Sequence, residues 1–170
     1  IFTALPIEAL AFLLGGVGIE ELLVSSLMLV VNTLFFCSLG LFCSSFTKRT
    51  LTATVTSYSI ILLSMLALGL ATFVLGISAT TNLTPNPSSL YMNILLALVW
   101  LMSSTNPISA AFVSEAFLIQ DQALFIVKVP LAGSNTIYLL SPWIIHIALY
   151  LVLTALMILA AILFVKRPDR

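Results

Sequence analysis

Charge is nearly absent from this 170-residue sequence, which holds six Lys and Arg, six Asp and Glu, and one His. Soluble domains carry about 25% charged residues; here the share is 7%, while 61% of the residues are hydrophobic and the mean hydropathy is +1.23. Such a composition cannot supply the polar exterior of a water-soluble fold. The net charge is zero and there is no basic stripe, so nucleic acid is excluded as a partner. Only two cysteines occur, Cys37 and Cys43. They fall in one predicted helix, point to different faces and show no CxxC or Cys/His spacing, so the expectation is two small apolar residues and no metal site. There is no GxxxxGK[ST] phosphate loop, no HExxH and no GxSxG, which removes three common routes to ATP binding, zinc hydrolysis and acyl transfer. The single histidine, His146, cannot build a haem pair and is expected to be a hydrogen-bonded interfacial residue near Trp143 and Tyr150. The reading is not an enzyme, with no cofactor of its own.

What the sequence does have is long apolar runs. Lipid permits helices or closed barrels, since every backbone polar group must be satisfied internally. Barrel strands alternate apolar and polar residues; these runs are continuous, so helices are expected. The fold class is therefore all-α, a polytopic transmembrane helical bundle in a lipid bilayer. Residues 1–14 form a first apolar stretch closed by Gly15-Gly16-Val17-Gly18. It is shorter than the roughly 20 residues of a full crossing and reads as the tail of a span. Spans are predicted over 21–44, 51–77 and 141–165. Glu20 and Glu21 open the first of these, where carboxylates suit the helix N-terminus. Thr50, Thr52, Thr54, Thr56, Ser57 and Ser59 crowd the start of the second, with hydroxyls able to bond back to the helix or across to a neighbour. Asn82-Leu83-Thr84, in a proline-marked loop, matches a glycosylation acceptor, a pattern common by chance.

Residues 90–127 are apolar but interrupted. Leu90 to Met102 is only about 13 residues, short for a crossing. Asn106-Pro107 then offers an N-cap followed by proline at the first helical position. Ile108, Phe112, Ile119 and Ala123 share one helical face, with Ser114, Gln120 and Asp121 elsewhere, an amphipathic pattern suited to an interface. Lys128, Pro130 and Gly133-Ser134-Asn135 form a polar break. Basic residues fix the topology. Lys48-Arg49 and the tail Lys166-Arg167-Pro168-Asp169-Arg170 are both expected in the cytoplasm, so an even number of crossings separates them. The spans at 51–77 and 141–165 supply two, which makes 90–127 a short re-entrant or interfacial hairpin, or else a pair that crosses twice; the interruptions favour the hairpin. The expected location is the plasma membrane, multi-pass, with a cytoplasmic C-terminus.

Few residues suggest chemistry. Glu8, after Pro6 in the first apolar stretch, is a candidate polar pathway residue, because carboxylates at membrane depth are costly. Glu115 is expected to be solvated at the interface. Gly40, Ser44, Gly69 and Gly76 let helix backbones approach.

The run Leu39-Gly40-Leu41-Phe42-Cys43-Ser44-Ser45-Phe46-Thr47-Lys48-Arg49-Thr50, followed at once by a hydroxyl- and alanine-containing span, resembles the permease subunits of type-two ABC exporters. Leu5-Pro6 with Leu13-Leu14-Gly15-Gly16-Val17 is similar to that family's third span and its outer turn, Asn106-Pro107-Ile108-Ser109-Ala110 to the segment between its last two spans, and Ser141-Pro142-Trp143 leading to Lys166-Arg167-Pro168 to its final span and tail. The resemblance implies spans three to six of a six-span permease, N-terminally incomplete, forming one transmembrane domain over 1–170. It implies a second permease subunit, a cytoplasmic ATPase subunit that binds the ATP, and a partial ATPase contact at Lys48 and Arg49. The alternative is a structural, non-catalytic subunit of a larger membrane complex such as an energy-converting assembly.

Overall fold

The computed structural model of the chain describes residues 5–15, 18–47, 49–81, 89–121, 124–130 and 136–166. Its elements in chain order are α1 (Leu5–Leu13), α2 (Ile19–Phe46), α3 (Thr50–Thr81), α4 (Ser89–Thr105), α5 (Pro107–Asp121), β1 (Ile126–Pro130), β2 (Thr136–Leu140) and α6 (Pro142–Val165). Three helices, α2, α3 and α6, are long and apolar enough to cross a membrane. At 1.5 Å per residue they run about 36–48 Å, beyond the ~30 Å hydrocarbon core.

Local chemistry sets the ends of these rods. Gly15 turns the chain out of α1 with φ +73, a left-handed conformation that suits glycine. α2 starts with Glu20 and Glu21 in its first turn, and Glu21 Oε2 accepts a hydrogen bond from Gly18 N at 3.1 Å, the favourable placement of a carboxylate at a helix N-terminus. At its other end Thr47 donates both its N–H and its hydroxyl to the Cys43 carbonyl, at 3.1 and 2.7 Å. Arg49 is exposed, and its carbonyl already accepts the first bond of α3 from Ala53 N. The turn is thus tight, and α2 and α3 return antiparallel. α6 opens with Pro142 at its first position, where a missing N–H costs nothing.

The bundle's interior is narrow. α2 and α6 pack most closely, clipped at their shared end by Phe164 against Phe42 and Phe46, with centroids 5.9 and 5.6 Å apart. Nearer the other end, Val24 and Met28 of α2 meet Ala110 and Leu118 of α5, with Trp143 and Ile147 of α6 packed alongside. Across the most apolar stretch of α3 no residue is buried within the chain. The hydroxyls of Thr54, Ser57, Ser64 and Thr72 bond back to carbonyls of their own helix, those of Thr50, Thr54, Ile61 and Leu68.

The hairpin expected over 90–127 is a broken pair: α4 and α5 are bent by 112° at Asn106. At 17 and 15 residues, both halves fall short of the roughly 20 of a full crossing. One feature differs from expectation: the polar break before α6 contains an antiparallel two-stranded sheet, β1 with β2, in the register Ile126↔Leu140 to Pro130↔Thr136. Val127 is fully buried, Lys128 faces out, and Lys128 Nζ lies 5.9 Å from the Tyr138 ring centroid. On α5, Ile108, Phe112, Glu115 and Ile119 are exposed, whereas Ala110, Ser114 and Leu118 are buried; an outward apolar face with a carboxylate on it suits a helix at a membrane interface.

Candidate functional site

Breaking a helix inside a membrane protein frees carbonyls at one end and N–H groups at the other, and lipid offers neither a partner. At the α4–α5 break the Ser104 and Thr105 carbonyls and the Ile108 N–H each have one. His146 Nδ1 lies 2.9 Å from the Ser104 carbonyl. That oxygen can only accept, so Nδ1 carries a proton. Tyr150, one turn further along α6, donates its hydroxyl to the Thr105 carbonyl at 3.0 Å. Asn106 caps α5: its Oδ1 accepts from Ile108 N at 3.0 Å, and its carbonyl accepts from Ala110 N at 2.8 Å. Asn106 Nδ2 also reaches across to the Met65 carbonyl on α3 at 3.4 Å. A Cβ on Gly69 would stand 3.3 Å from that nitrogen, so the missing side chain lets Asn106 lie against α3.

On the far side of the imidazole, His146 Nε2 faces Asn32 Oδ1 of α2 at 3.1 Å. A neutral ring accepts there from the amide NH2 with the carboxamide turned, and a charged ring donates to Oδ1. The Tyr150 ring stacks against the imidazole at 4.1 Å and meets Phe35 of α2 edge-on at 4.7 Å. α2, α3, α4, α5 and α6 therefore converge on one polar knot. His146, Asn106 and Ser104 are all at most 2% exposed. His146 is hydrogen-bonded as expected, but it sits inside the bundle rather than on its rim. Two indoles close the site from the side of the sheet: Trp100 Nε1 donates to the Leu140 carbonyl at 2.9 Å, and Trp143 Nε1 to the Leu124 carbonyl at 2.8 Å.

A second feature lies along α2 and α3 toward the Arg49 turn. An open groove of about 500 Å³ is lined by small and hydroxyl side chains, among them Thr33, Gly40, Ser44, Thr50 and Thr54, together with Cys37. Cys37 is thus exposed on a groove rather than in the core; Cys43 is buried. Gly40 faces open space there and Gly76 likewise, so of the glycines expected to let helices approach, Gly69 makes the close contact.

The residues singled out from the sequence are not gathered in one place. Arg49 is exposed at the α2–α3 turn, while Lys48 lies outside the described residues. Glu8 falls in α1, and its side chain lies outside the description. Asn82-Leu83-Thr84, Ala123 and the last four residues of the tail lie outside it as well. Asn32 escaped sequence reading altogether. An isolated amide amid Leu, Val and Phe was the available signal, since such a group in a span needs a partner. Comparison with family models, with curated proteins and with solved structures finds no match for this chain.

Proposed function

We propose that this protein is the membrane-spanning permease subunit of an ATP-driven ABC-type exporter, forming part of the substrate path, with ATP hydrolysis on a separate cytoplasmic subunit and a second permease subunit completing the path. One observation carries the reading: a helix pair broken by 112°, between the second and third long helices in chain order, whose Ser104 and Thr105 carbonyls are bonded by His146 and Tyr150 of α6 and whose Asn106 amide reaches the Met65 carbonyl of α3. Interrupted helices at membrane depth are kept where they are buried in protein or line a cavity, and discontinuous helices are a recurring device of transporters. The unburied apolar face of α3 and the hydroxyl-lined groove beside it supply a wall that a second permease subunit would complete. Lys48 and Arg49, between α2 and α3 in the sequence, are the residues proposed to touch the ATPase, and Glu8 is proposed to line the path.

The test is copurification. The protein, expressed with the genes that neighbour its own, should bring down a subunit bearing a phosphate loop and show ATP hydrolysis in nanodiscs. Absence of both, with electron-transfer or pigment-binding subunits in their place, overturns the exporter and favours the structural-subunit reading. Glu8→Gln is expected to impair transport-coupled hydrolysis; unchanged rates would remove Glu8 from the path.

A further inference from the structure

Between α2 and α5, at the end remote from Arg49, lies a cavity of about 200 Å³. Its wall is divided by chemistry. Glu21 and Glu115 supply carboxylates, while Val24, Met28 and Leu118 supply apolar surface. The wall also contains Ser114, which is 2% exposed and whose Oγ makes no hydrogen bond among the described residues. A serine in a helix ordinarily bonds back to a carbonyl one turn earlier, as Ser104 does to Trp100 and Ser26 does to Leu22. Ser114 does not, and a buried hydroxyl without a partner is unfavourable. Its oxygen is therefore available to whatever fills the cavity.

The position along the bundle matters. Measured from Phe46 along α2, Met28 stands ~27 Å away and Glu21 ~37 Å away. With Phe46 near one face of a ~30 Å hydrocarbon layer, Met28 lies just within the opposite boundary and Glu21 beyond it, among headgroups and water. The cavity thus runs from a carboxylate rim at the interface to an apolar floor. Glu21 has already spent one lone pair on Gly18 N, but a carboxylate has about four acceptor sites. No Lys or Arg stands among the described lining residues, so a phosphate-bearing lipid headgroup would meet two uncompensated carboxylates. Among the described residues no three His, Cys, Asp or Glu side chains gather into a site that could hold a metal ion. The volume is below the roughly 300–1,000 Å³ of drug-sized sites.

We infer that this cavity binds a small amphipathic organic cation, an alkyl- or arylalkyl-ammonium. Its N–H groups are held by Glu21, Glu115 and the Ser114 hydroxyl, and its hydrocarbon lies against Val24, Met28 and Leu118. The inference is independent of the exporter reading, because it concerns equilibrium binding to this chain alone.

Trp143 packs against the Val24–Met28–Leu118 cluster, so its fluorescence reports on filling. The purified full chain in phosphatidylcholine nanodiscs is titrated with hexylammonium, with 1-hexanol as the neutral isostere and with Ca2+. The expected result is a saturable change with hexylammonium alone. Glu115→Gln, on an exposed side chain, should weaken it at least about tenfold, and Ser114→Ala a few-fold, with melting temperatures monitored to show that the variants fold. A response to 1-hexanol equal to that to hexylammonium, a response to Ca2+ only, no saturable response, or undiminished affinity in Glu115→Gln would each overturn it.

Discussion

His146 shows how one side chain can serve three helices. One ring nitrogen meets a carbonyl freed by the α4–α5 break and the other meets an amide of α2. Removing the imidazole takes a partner from the buried Ser104 carbonyl and from the half-buried Asn32 amide, which costs more than a bond's net contribution. His146→Ala is expected to destabilise the protein by about 1–3 kcal/mol in reversible unfolding in bicelles. A double-mutant cycle with Asn32→Leu should return a coupling of about 0.5–2 kcal/mol; additivity would dissolve the pair. Tyr150→Phe keeps the ring contacts with His146 and Phe35 but withdraws the hydroxyl that donates to the Thr105 carbonyl. A loss of about 0.5–1.5 kcal/mol is expected in the same assay.

At the scale of elements, the α4–α5 pair is held against α3 through Asn106, and Gly69 makes the room. Gly69→Leu should displace Asn106 and lower the melting temperature clearly, whereas Gly76→Leu, which points into open space, should leave it nearly unchanged. Equal effects would mean that the close approach has no role. The long helices were legible in the sequence because uninterrupted hydropathy over more than 20 residues has one solution in lipid. The broken pair was legible from its short halves and from Asn106-Pro107. The sheet departs from the sequence reading although its signals are there: Val127-Lys128-Val129 alternates, Thr136-Ile137-Tyr138 is β-branched and aromatic, and Gly133-Ser134-Asn135 separates them. Lys128 and Pro130 outweigh them by suggesting a polar break. On α5 the spacing of Ile108, Phe112 and Ile119 marks the exposed face, and Ser114, off that face, is buried. The Asn32–His146 contact was illegible, since nothing local to either residue encodes a partner 114 positions away.

For the molecule as a whole, two basic ends bracket the architecture: the Arg49 turn, and the tail that begins at Lys166. Arg49 follows the C-terminus of α2, where a cation is favourable, and precedes the N-terminus of α3, where it is not. Helix dipoles therefore give it no clear reason to be there, and orientation in the membrane does. If the proposed ATPase subunit docks there, reversing that charge, Arg49→Glu, is expected to weaken its association at least several-fold in copurification while leaving the melting temperature within a degree or two; unchanged association would leave the turn with an orienting role only. The claim on which the rest depends is that α3 and α6 cross and the α4–α5 pair between them does not. It is tested most directly by membrane-impermeant thiol labelling in intact cells of single-cysteine variants, built after both native cysteines are replaced, at Arg49, Tyr138 and Lys166. The account predicts labelling of Tyr138→Cys alone, with Arg49→Cys and Lys166→Cys reacting only after lysis; labels on opposite faces for Arg49→Cys and Lys166→Cys would contradict it.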